Sequence, residues 1–175
     1  MLVELVDDRG TGVGACSVAE AHRPPGRLHR AFSVLLSDRT GRVLLQRRAA
    51  TKTRFASRWS NTCCGHPAPG AEVAVAAARR LAAELALTTA ALTEVGVFTY
   101  RAADGAGGGV EHEWDHVLVG TLDIDREVPA PDPTEVSEWA WVAPPRLATA
   151  IAADPDAYTP WLPGVLRVAA APEAR

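Results

Sequence analysis

Two strand-like runs around a tight turn constrain the fold of this chain more than any other stretch of its sequence. They flank the tetrapeptide Asp-Arg-Thr-Gly at 38–41 in "HRAFSVLLSDRTGRVLLQRR", residues 29–48. Apolar runs on either side of an Asp/Gly turn are typical of a β-hairpin. Further strands are predicted at 94–100, 111–122 and 137–142. A large part of the chain is therefore expected to form sheet.

Helices are predicted between and after these strands. From Ala71 to Leu87 the chain is alanine-rich, and apolar residues recur every four positions as one buried stripe: Val73, Ala77, Leu81 and Leu85. A second helix is predicted at 144–154, where prolines begin it, and a last one near Trp161. Residues 49–70 show no period and are predicted as a long loop. Because strands and helices mix without regular alternation, we predict a mixed α/β (α+β) fold, an α/β/α sandwich with a mixed central sheet.

The length of 175 residues predicts one domain, 1–175, with a real core. No apolar run approaches the length of about eighteen residues that spans a bilayer, so no membrane association is expected. The N-terminus "MLVELVDDRG" is acidic where a secretory signal would be basic, which favours the cytoplasm. Three cysteines are an odd number and make a disulfide framework improbable, so we expect free thiols.

The net charge of −3 conceals a basic middle segment. The window 39–80 holds nine of the eighteen basic residues and one acid, Glu72, giving 9 − 1 = +8. The basic residues are Arg39, Arg42, Arg47, Arg48, Lys52, Arg54, Arg58, Arg79 and Arg80. Such a patch in an acidic protein suits a small polyanionic ligand, and it suits nucleic acid poorly because interleaved aromatic residues are missing. The alternative is a solvated arginine-rich surface.

The stretch "NTCCGHP", residues 61–67, lies inside this basic window. A free cysteine is most often a small buried hydrophobe, and reactivity requires an electropositive setting that stabilises the thiolate. Cys64 has such a setting two residues before His66, while Cys63 is expected to pack. From these residues alone, packing, metal binding and nucleophilic chemistry all stay open.

Two carboxylates and several histidines offer a further site. Glu111 and Glu113 lie two apart on a predicted strand, so both side chains point to one face and need a cation or a shared proton. The alternative is an exposed strand face with His112 pointing inward. Together with three imidazoles, the carboxylates can form a site for Zn²⁺, Mn²⁺ or Mg²⁺, although the spacing matches no self-sufficient zinc motif: His22, His29 and His66.

Glu84 and Arg80 are one helical turn apart. Locally, a surface ion pair is the favoured interpretation. The alternative is a carboxylate that binds Mg²⁺ while the arginine holds the phosphate that shares the ion.

Taken in chain order, these signals resemble one known family. The segments are "LHRAFSVLL", "GRVLLQRRA", "WSNTCCGHP", "RRLAAEL", "FTYRA" and "EHEW". They are similar to the type 1 isopentenyl-diphosphate Δ-isomerases of the Nudix superfamily, from about Leu5 to Trp161. The resemblance implies a Nudix-type sandwich and an isomerase that converts isopentenyl diphosphate into dimethylallyl diphosphate through a tertiary carbocation, for isoprenoid biosynthesis. It implies a small-molecule partner and a monomer or weak dimer.

The resemblance also implies roles for individual residues. The catalytic set would be Cys64, Glu113 and Tyr100. The diphosphate would be bound by Arg48, Lys52 and Arg80, and Trp161 would face the hydrocarbon end. The first cation, Zn²⁺, Mn²⁺ or Mg²⁺, would take His22, His29, His66, Glu111 and Glu113 as ligands. A second ion, Mg²⁺, would join Glu84 to the diphosphate.

The chain departs from the Nudix hydrolase pattern. Of that glutamate-rich motif only Gly65, Arg79, Leu81, Glu84 and Leu87 are kept. Alanine or arginine replaces its other glutamates and its last glycine, at Ala71, Arg80, Ala83 and Ala86. Val18 also stands where isomerases have a basic residue. A Nudix hydrolase would need the dense glutamate cluster, and a binding module that has lost catalysis would show gaps among the ligand positions, so both alternatives are less favoured.

Overall fold

The computed structural model describes residues 1–88 and 90–171. Its strands are β1 (Leu2–Val6), β2 (Gly12–Ser17), β3 (His29–Ser37), β4 (Val43–Arg48), β5 (Trp59–Ser60), β6 (Cys63–Gly65), β7 (Thr93–Ala103), β8 (Val110–Thr121) and β9 (Val136–Val142). Its α-helices are α1 (Val18–Ala21), α2 (Val73–Leu85), α3 (Pro144–Ala153) and α4 (Leu162–Ala169). A short 3₁₀ turn at Pro155–Ala157 precedes α4. No helix in the described part of the chain has the length and apolar character needed to cross a membrane.

Strand β3 is the centre of a mixed sheet. It runs parallel to β8, from His29 opposite Glu113 to Ser37 opposite Thr121. It is antiparallel to β6, and it meets β1 at Leu5 opposite His29. On the far side of β8 lies antiparallel β7. Strand β4 meets β3 beside the turn that joins them and pairs along the rest of its length with β5 and β9.

The predicted hairpin is confirmed as two strands and a turn, but its ladder is short. Strands β3 and β4 pair only at Ser37 opposite Val43, beside the turn. They then diverge, because β6 and β8 take the two edges of β3 while β5 and β9 take those of β4. The segment predicted as a loop at 49–70 therefore contains β5 and β6, whose pairing with distant strands leaves no local periodicity.

Two apolar layers cover the sheet, one on each face. Successive residues of a strand point to opposite faces, and in β3 Val34 and Leu36 pack toward α2 whereas Leu35 packs toward α3 and α4. The four residues of the predicted helical stripe are all buried in the α2 layer. Helix α2 is two residues shorter at each end than predicted, and it stops at Ala86, whose φ of 55° is left-handed. The sandwich with a mixed central sheet is confirmed.

The N-terminal segment, for which the sequence predicted no elements, forms an antiparallel pair and a single helical turn. Strands β1 and β2 pair from Leu2 opposite Ser17. Ser17 Oγ then accepts the backbone N–H of Glu20 and caps α1. Helix α1 ends directly before His22 and thereby places the His22 ring next to His29, the first residue of β3.

Candidate active site

Four side chains from different parts of the chain converge at the N-terminal end of β3. His22 follows α1, His29 begins β3, His66 follows β6, and Glu113 lies in β8 opposite His29. Each offers one ligand atom, and these atoms all lie within 4.8 Å of one another. Sheet register explains the meeting, because the pairing of β3 with β6 and β8 brings three of the four together.

The histidine rings are oriented as metal ligands usually are. His22 Nδ1 lies 2.7 Å from the carbonyl oxygen of Val18, and His29 Nδ1 lies 2.7 Å from that of Arg27. These contacts place the proton on Nδ1 and leave Nε2 to face the group. Within residues 1–88 and 90–171, the buried His29 Nε2 has no hydrogen-bond partner. An orphaned nitrogen among imidazole and carboxylate donors fits a divalent cation such as Zn²⁺ or Mn²⁺.

Glu113 joins this group to Tyr100. Its Oε1 is 2.9 Å from His66 Nε2 and 3.6 Å from His29 Nε2, and its Oε2 accepts the Tyr100 hydroxyl over 2.6 Å. Burial opposes ionisation of Glu113, yet the neighbouring imidazoles outweigh it and hold its pKa well below the usual value. Burial and the Glu113 charge raise the pKa of Tyr100 well above its ordinary value. The phenol is thus a fixed proton donor to the carboxylate.

Glu111 points to the same face, as its spacing predicted, and both carboxylates are buried. The alternative of an exposed strand face with His112 inward is wrong, because His112 is more exposed than either glutamate. Glu111 Oε2 is 2.7 Å from His22 Nε2, and its Oε1 accepts Arg54 Nε over 2.7 Å. Glu111 therefore adjoins the four-residue group without belonging to it in this arrangement.

The adjacent cysteines face opposite sides of the sheet. Cys63 is fully buried in the α2 layer, so its predicted packing role is confirmed. Cys64 pairs with Ser33 across β6 and β3, lines the cavity described below, and donates to Asn61 Oδ1 at 3.1 Å. All three cysteines of the chain are free thiols, as predicted. Burial and the neighbouring Asp115 carboxyl raise the pKa of Cys64 to about 12, which favours the thiol over the thiolate.

Two of the three predicted diphosphate residues, Lys52 and Arg80, form a second polar cluster with Glu84 and Glu135. Arg80 Nη2 contacts Glu84 Oε1 at 2.6 Å and Glu135 Oε2 at 2.8 Å, and Lys52 also pairs with Glu135. The favoured interpretation of Glu84 and Arg80 as an ion pair is confirmed, but its surface location is wrong for Glu84, which is 2% exposed and also accepts Gln46 Nε2. Burial opposes the charge of Arg80, but Glu84 and Glu135 raise its pKa.

Arg48 and Trp161 lie between the two clusters. Arg48 Nη2 donates to the carbonyl oxygen of Arg54 at 2.8 Å, and its guanidinium lies 5.5 Å from the Trp161 ring. Trp161, 3% exposed, contacts Phe55 edge-on and the ring of Tyr100 at 5.8 Å. Its indole is therefore fixed rather than free to swing.

One cavity of about 480 Å³ unites these residues. The predicted site residues on its wall are Arg48, Lys52, Cys64, His66, Arg80, Tyr100, Glu111, Glu113 and Trp161. His22, His29 and Glu84 are buried behind that wall. Apart from its cationic and acidic groups the lining is largely apolar, so the cavity suits an anionic ligand with a hydrocarbon part.

Sequence reasoning missed several side chains that organise the site. Asn61 accepts from both Cys64 and Trp161, and Glu135 pairs with Lys52 and Arg80. Ser33 Oγ donates to the buried Asp115 at 2.7 Å beneath Cys64. A polar residue inside an apolar run signals Ser33. Asn61 lies among other polar residues and has no such signal, and the partners of Glu135 are separated from it by more than fifty positions and leave no local trace.

Sequence comparison relates this chain to one family of known proteins. A family model described as the NUDIX domain matches residues 27–162. A protein of Nocardia farcinica named isopentenyl-diphosphate Delta-isomerase is 66% identical over 169 residues, covering 97% of this chain and 94% of its own length. The chain belongs to the isopentenyl-diphosphate Delta-isomerase family. A Halorhodospira halophila protein with the same name is 46% identical over 91% of the chain and 89% of its own length.

Solved structures support the fold of this isomerase family member. A crystal structure of a Deinococcus radiodurans protein, DR0079, superposes with a TM-score of 0.75 at 20% identity, covering 96% of this chain and 99% of that one. A MutT protein of Methanosarcina mazei gives a TM-score of 0.58 at 18% identity, over 80% and 88% of the two chains. At such identities the likeness concerns the fold alone.

Proposed function

We propose that this chain isomerises isopentenyl diphosphate to dimethylallyl diphosphate for isoprenoid biosynthesis. The observation that carries the proposal is one cavity whose wall holds Cys64, Glu113 and Tyr100 together with five cationic side chains, Arg48, Lys52 and Arg80 among them. It is supported by 66% identity over almost the whole chain to a protein named for this isomerase. Proton carriers and anion-binding groups in one pocket suit a diphosphate whose other end is an alkene.

The reaction moves a double bond without changing the molecular formula. One group adds a proton to the terminal alkene carbon, a tertiary carbocation forms, and a second group removes a proton from the neighbouring methylene. We assign these two groups to Cys64 and Glu113. The raised pKa of Cys64 favours its thiol and the lowered pKa of Glu113 favours its carboxylate, so the pair would hold one transferable proton between them. Tyr100 supports Glu113 by donating to the oxygen that His66 does not contact.

The diphosphate is assigned to the cationic wall. Arg48, Lys52 and Arg80 line the cavity, and Lys52 and Arg80 share the carboxylate of Glu135. A bound diphosphate would replace Glu135 as their anionic partner, since charge-assisted bonds to phosphate suit both side chains. Binding at this remote end fixes the alkene against the proton carriers.

Two cations complete the proposal. His22, His29, His66, Glu111 and Glu113 would hold the first, Zn²⁺, Mn²⁺ or Mg²⁺, and its positive charge would set the proton affinity of Glu113. Glu84 would share Mg²⁺ with the diphosphate. In the described residues Glu84 belongs to no group of three or more potential ligands, so substrate oxygens and water would complete that coordination.

The carbocation must be kept from water. Trp161 and Tyr100 present aromatic rings to the cavity, and Phe55 packs against Trp161. An aromatic face stabilises a desolvated cation by about 2 kcal/mol. The same rings exclude the water that would otherwise trap the intermediate as an alcohol.

The test follows two products at once. Purified protein is incubated with isopentenyl diphosphate, Mg²⁺ and a trace of Mn²⁺ or Zn²⁺, and dimethylallyl diphosphate and released phosphate are measured. We expect dimethylallyl diphosphate without phosphate. In D₂O the product should gain deuterium at the methyl that derives from the terminal alkene carbon. Phosphate release alone would indicate a hydrolase and overturn the proposal.

A Cys64→Ala variant tests the proton role. It should lose turnover while it still binds the diphosphate, because the hydrogen-bond partners of the thiol are Ser33, Ser60 and Asn61 and not the groups assigned to the diphosphate. Cys16→Ala, in the β1–β2 layer, is the matched control and should retain activity. Wild-type turnover in Cys64→Ala would contradict the assignment.

A further inference from the structure

Arg54 occupies a position to which the proposed reaction assigns no role. Its Nε donates to Glu111 Oε1 at 2.7 Å, and its side chain is 19% exposed. Glu111 is buried, and its other oxygen lies 2.7 Å from His22 Nε2. The guanidinium is thus the cationic partner of a buried carboxylate that we assign to the first cation.

The glycine-rich turn at 104–109 packs closely against Arg54 and its neighbour Thr53. A Cβ on Gly109 would lie 2.7 Å from Arg54 Cδ, and one on Gly107 would lie 2.5 Å from the carbonyl oxygen of Thr53. Beside them Asp104 Oδ2 accepts the backbone N–H of Phe55 at 3.0 Å. Glycines therefore leave room for the arginine stem, and Asp104 fastens the segment that carries it.

Arg54 and a divalent ion make opposing demands on Glu111. The ligand atoms of the histidine group lie within 4.8 Å of one another, and Glu111 stands outside that group while Arg54 holds one oxygen and His22 the other. To coordinate the ion, His22 Nε2 must give up Glu111, and the carboxylate must turn toward the group. A guanidinium retained on the same buried carboxylate would then repel the ion across a short, poorly screened distance.

We propose that Arg54 is a positioning residue that competes with the divalent cation for Glu111, so that the ion enters by exchange with the guanidinium. The inference rests on the proposed metal site and deepens it. Exchange keeps a buried carboxylate paired at every stage, which matters because an uncompensated buried charge is strongly destabilising. By linkage, a group that holds Glu111 lowers the affinity for the ion by the coupling factor between them, here expected to be about tenfold.

The experiment measures Mn²⁺ binding by calorimetry on protein stripped of metal with a chelator. Arg54→Gln should bind Mn²⁺ about tenfold more tightly than the wild type. Arg54→Lys, which keeps the charge, should shift affinity less. Arg47→Gln removes the same charge from an exposed pair with Glu138 and should leave the affinity unchanged.

Thermal unfolding provides a second readout that a merely structural role would not produce. Stripped Arg54→Gln should be less stable than Arg47→Gln, and Mn²⁺ should remove most of that difference. In a Glu111→Gln background the substitution at Arg54 should no longer alter Mn²⁺ affinity, as a double-mutant cycle requires for a direct pair.

The opposing outcomes are distinct. Weaker Mn²⁺ binding by Arg54→Gln would show that the guanidinium supports the bound ion, and unchanged binding would show that it has no influence. Either result would overturn the proposed exchange and leave the proposed metal site intact. Absence of Mn²⁺ binding in every variant, with folding verified by circular dichroism, would overturn the metal site and the exchange together.

Discussion

Asn61 is fully buried, and its side-chain amide links the segment that leads into β6 to strand β3 and to Trp161. Its Oδ1 accepts Cys64 Sγ and Trp161 Nε1, and its Nδ2 donates to the carbonyl oxygens of Val34 and Cys63. Both ends of the amide are used, so neither an acid nor an apolar residue can replace it. Asn61 therefore holds the thiol and the indole nitrogen close together, since both donate to the same oxygen.

An Asn61→Ala substitution tests this arrangement. It leaves several buried groups without partners, so the free energy of unfolding should fall by about 2–4 kcal/mol. Chemical denaturation measures the change, with the exposed Thr149→Ala as control. A loss below about 1 kcal/mol would mean that water replaces the amide without penalty. Activity should fall further than stability explains, since Cys64 and Trp161 lose a shared anchor.

Tyr100 allows a cleaner substitution, because Phe keeps the ring that packs against Trp161. Tyr100→Phe removes only the donor to Glu113 Oε2. If that bond assists proton transfer, kcat should fall about 100-fold with little change in KM. The other tyrosine of the chain supplies the control: Tyr158→Phe, outside the cavity wall, should keep the wild-type rate. Equal rates in the two variants would remove Tyr100 from the mechanism.

At the scale of elements, helix α4 fixes Trp161 through a close approach to β7. A Cβ on Gly164 would lie 2.3 Å from Phe98 Cε2 and 2.8 Å from Cζ. Within a helix alanine is favoured over glycine by about 1 kcal/mol. Overpacking typically costs about 1–3 kcal/mol, and a contact this short on a ring places the substitution at the upper end. The clash therefore outweighs the helix preference.

Gly164→Ala should accordingly destabilise the protein by about 1–2 kcal/mol, the clash minus the helix gain. Chemical denaturation measures this, and turnover should drop because α4 begins directly after Trp161. Gly105→Ala is the matched control, since a Cβ there would meet nothing within 4 Å. A Gly164→Ala protein more stable than the wild type would show that α4 can shift away from β7.

The turn between β3 and β4 depends on the ionised form of Asp38. Its Oδ1 accepts the backbone N–H groups of Thr40 and Arg42, and its Oδ2 accepts Arg42 Nε at 2.7 Å. Burial opposes ionisation, but the bonds from Thr40 and Arg42 outweigh it and lower the pKa to about 2. Since the folded pKa lies below the unfolded value of about 4, the stabilisation is complete above pH 4 and is lost as pH falls through 2.

Asp38→Asn should therefore have a lower melting temperature than the wild type at pH 7, and the gap should narrow between pH 4 and pH 2. Melting curves at several pH values measure it. A gap that stays constant down to pH 2 would assign the turn's stability to the shape of the side chain and not to its charge.

For the whole molecule, the sequence predicted those features that depend on residues close together in the chain, such as strand faces and buried helical stripes. Alternation placed Glu111 and Glu113 on one face, and four-residue spacing placed Val73 and Leu81 in the core. The pairing of β3 with β8 was not predictable, because strand edges carry no local signal of their partner. For the same reason the Arg54–Glu111 contact, between residues 57 positions apart, was visible only in the structure.

If the histidine group binds a cation as proposed, the stability of the molecule should depend on that cation. Its ligands come from the segment after α1, from β3, from the end of β6 and from β8, so one ion would join four separate stretches of chain. Such a site does not exist in the unfolded chain. A ligand that binds only the folded state stabilises it by about 2.7 kcal/mol at a concentration of 100 Kd. Mn²⁺ should thus raise the melting temperature of chelator-treated protein.

His29→Gln should abolish this response, because the buried His29 Nε2 has no hydrogen bond to any described residue and is available to the ion. His112→Gln is the control. His112 is not a member of the four-residue ligand group, and its ring lies near the carbonyl oxygen of Gly26, so this variant should respond like the wild type. Differential scanning fluorimetry with and without Mn²⁺ measures both. An equal Mn²⁺ shift in the two variants would mean that the ion binds elsewhere on the protein. A shift confined to chains with His29 would make the cation part of the folded structure as well as of the chemistry.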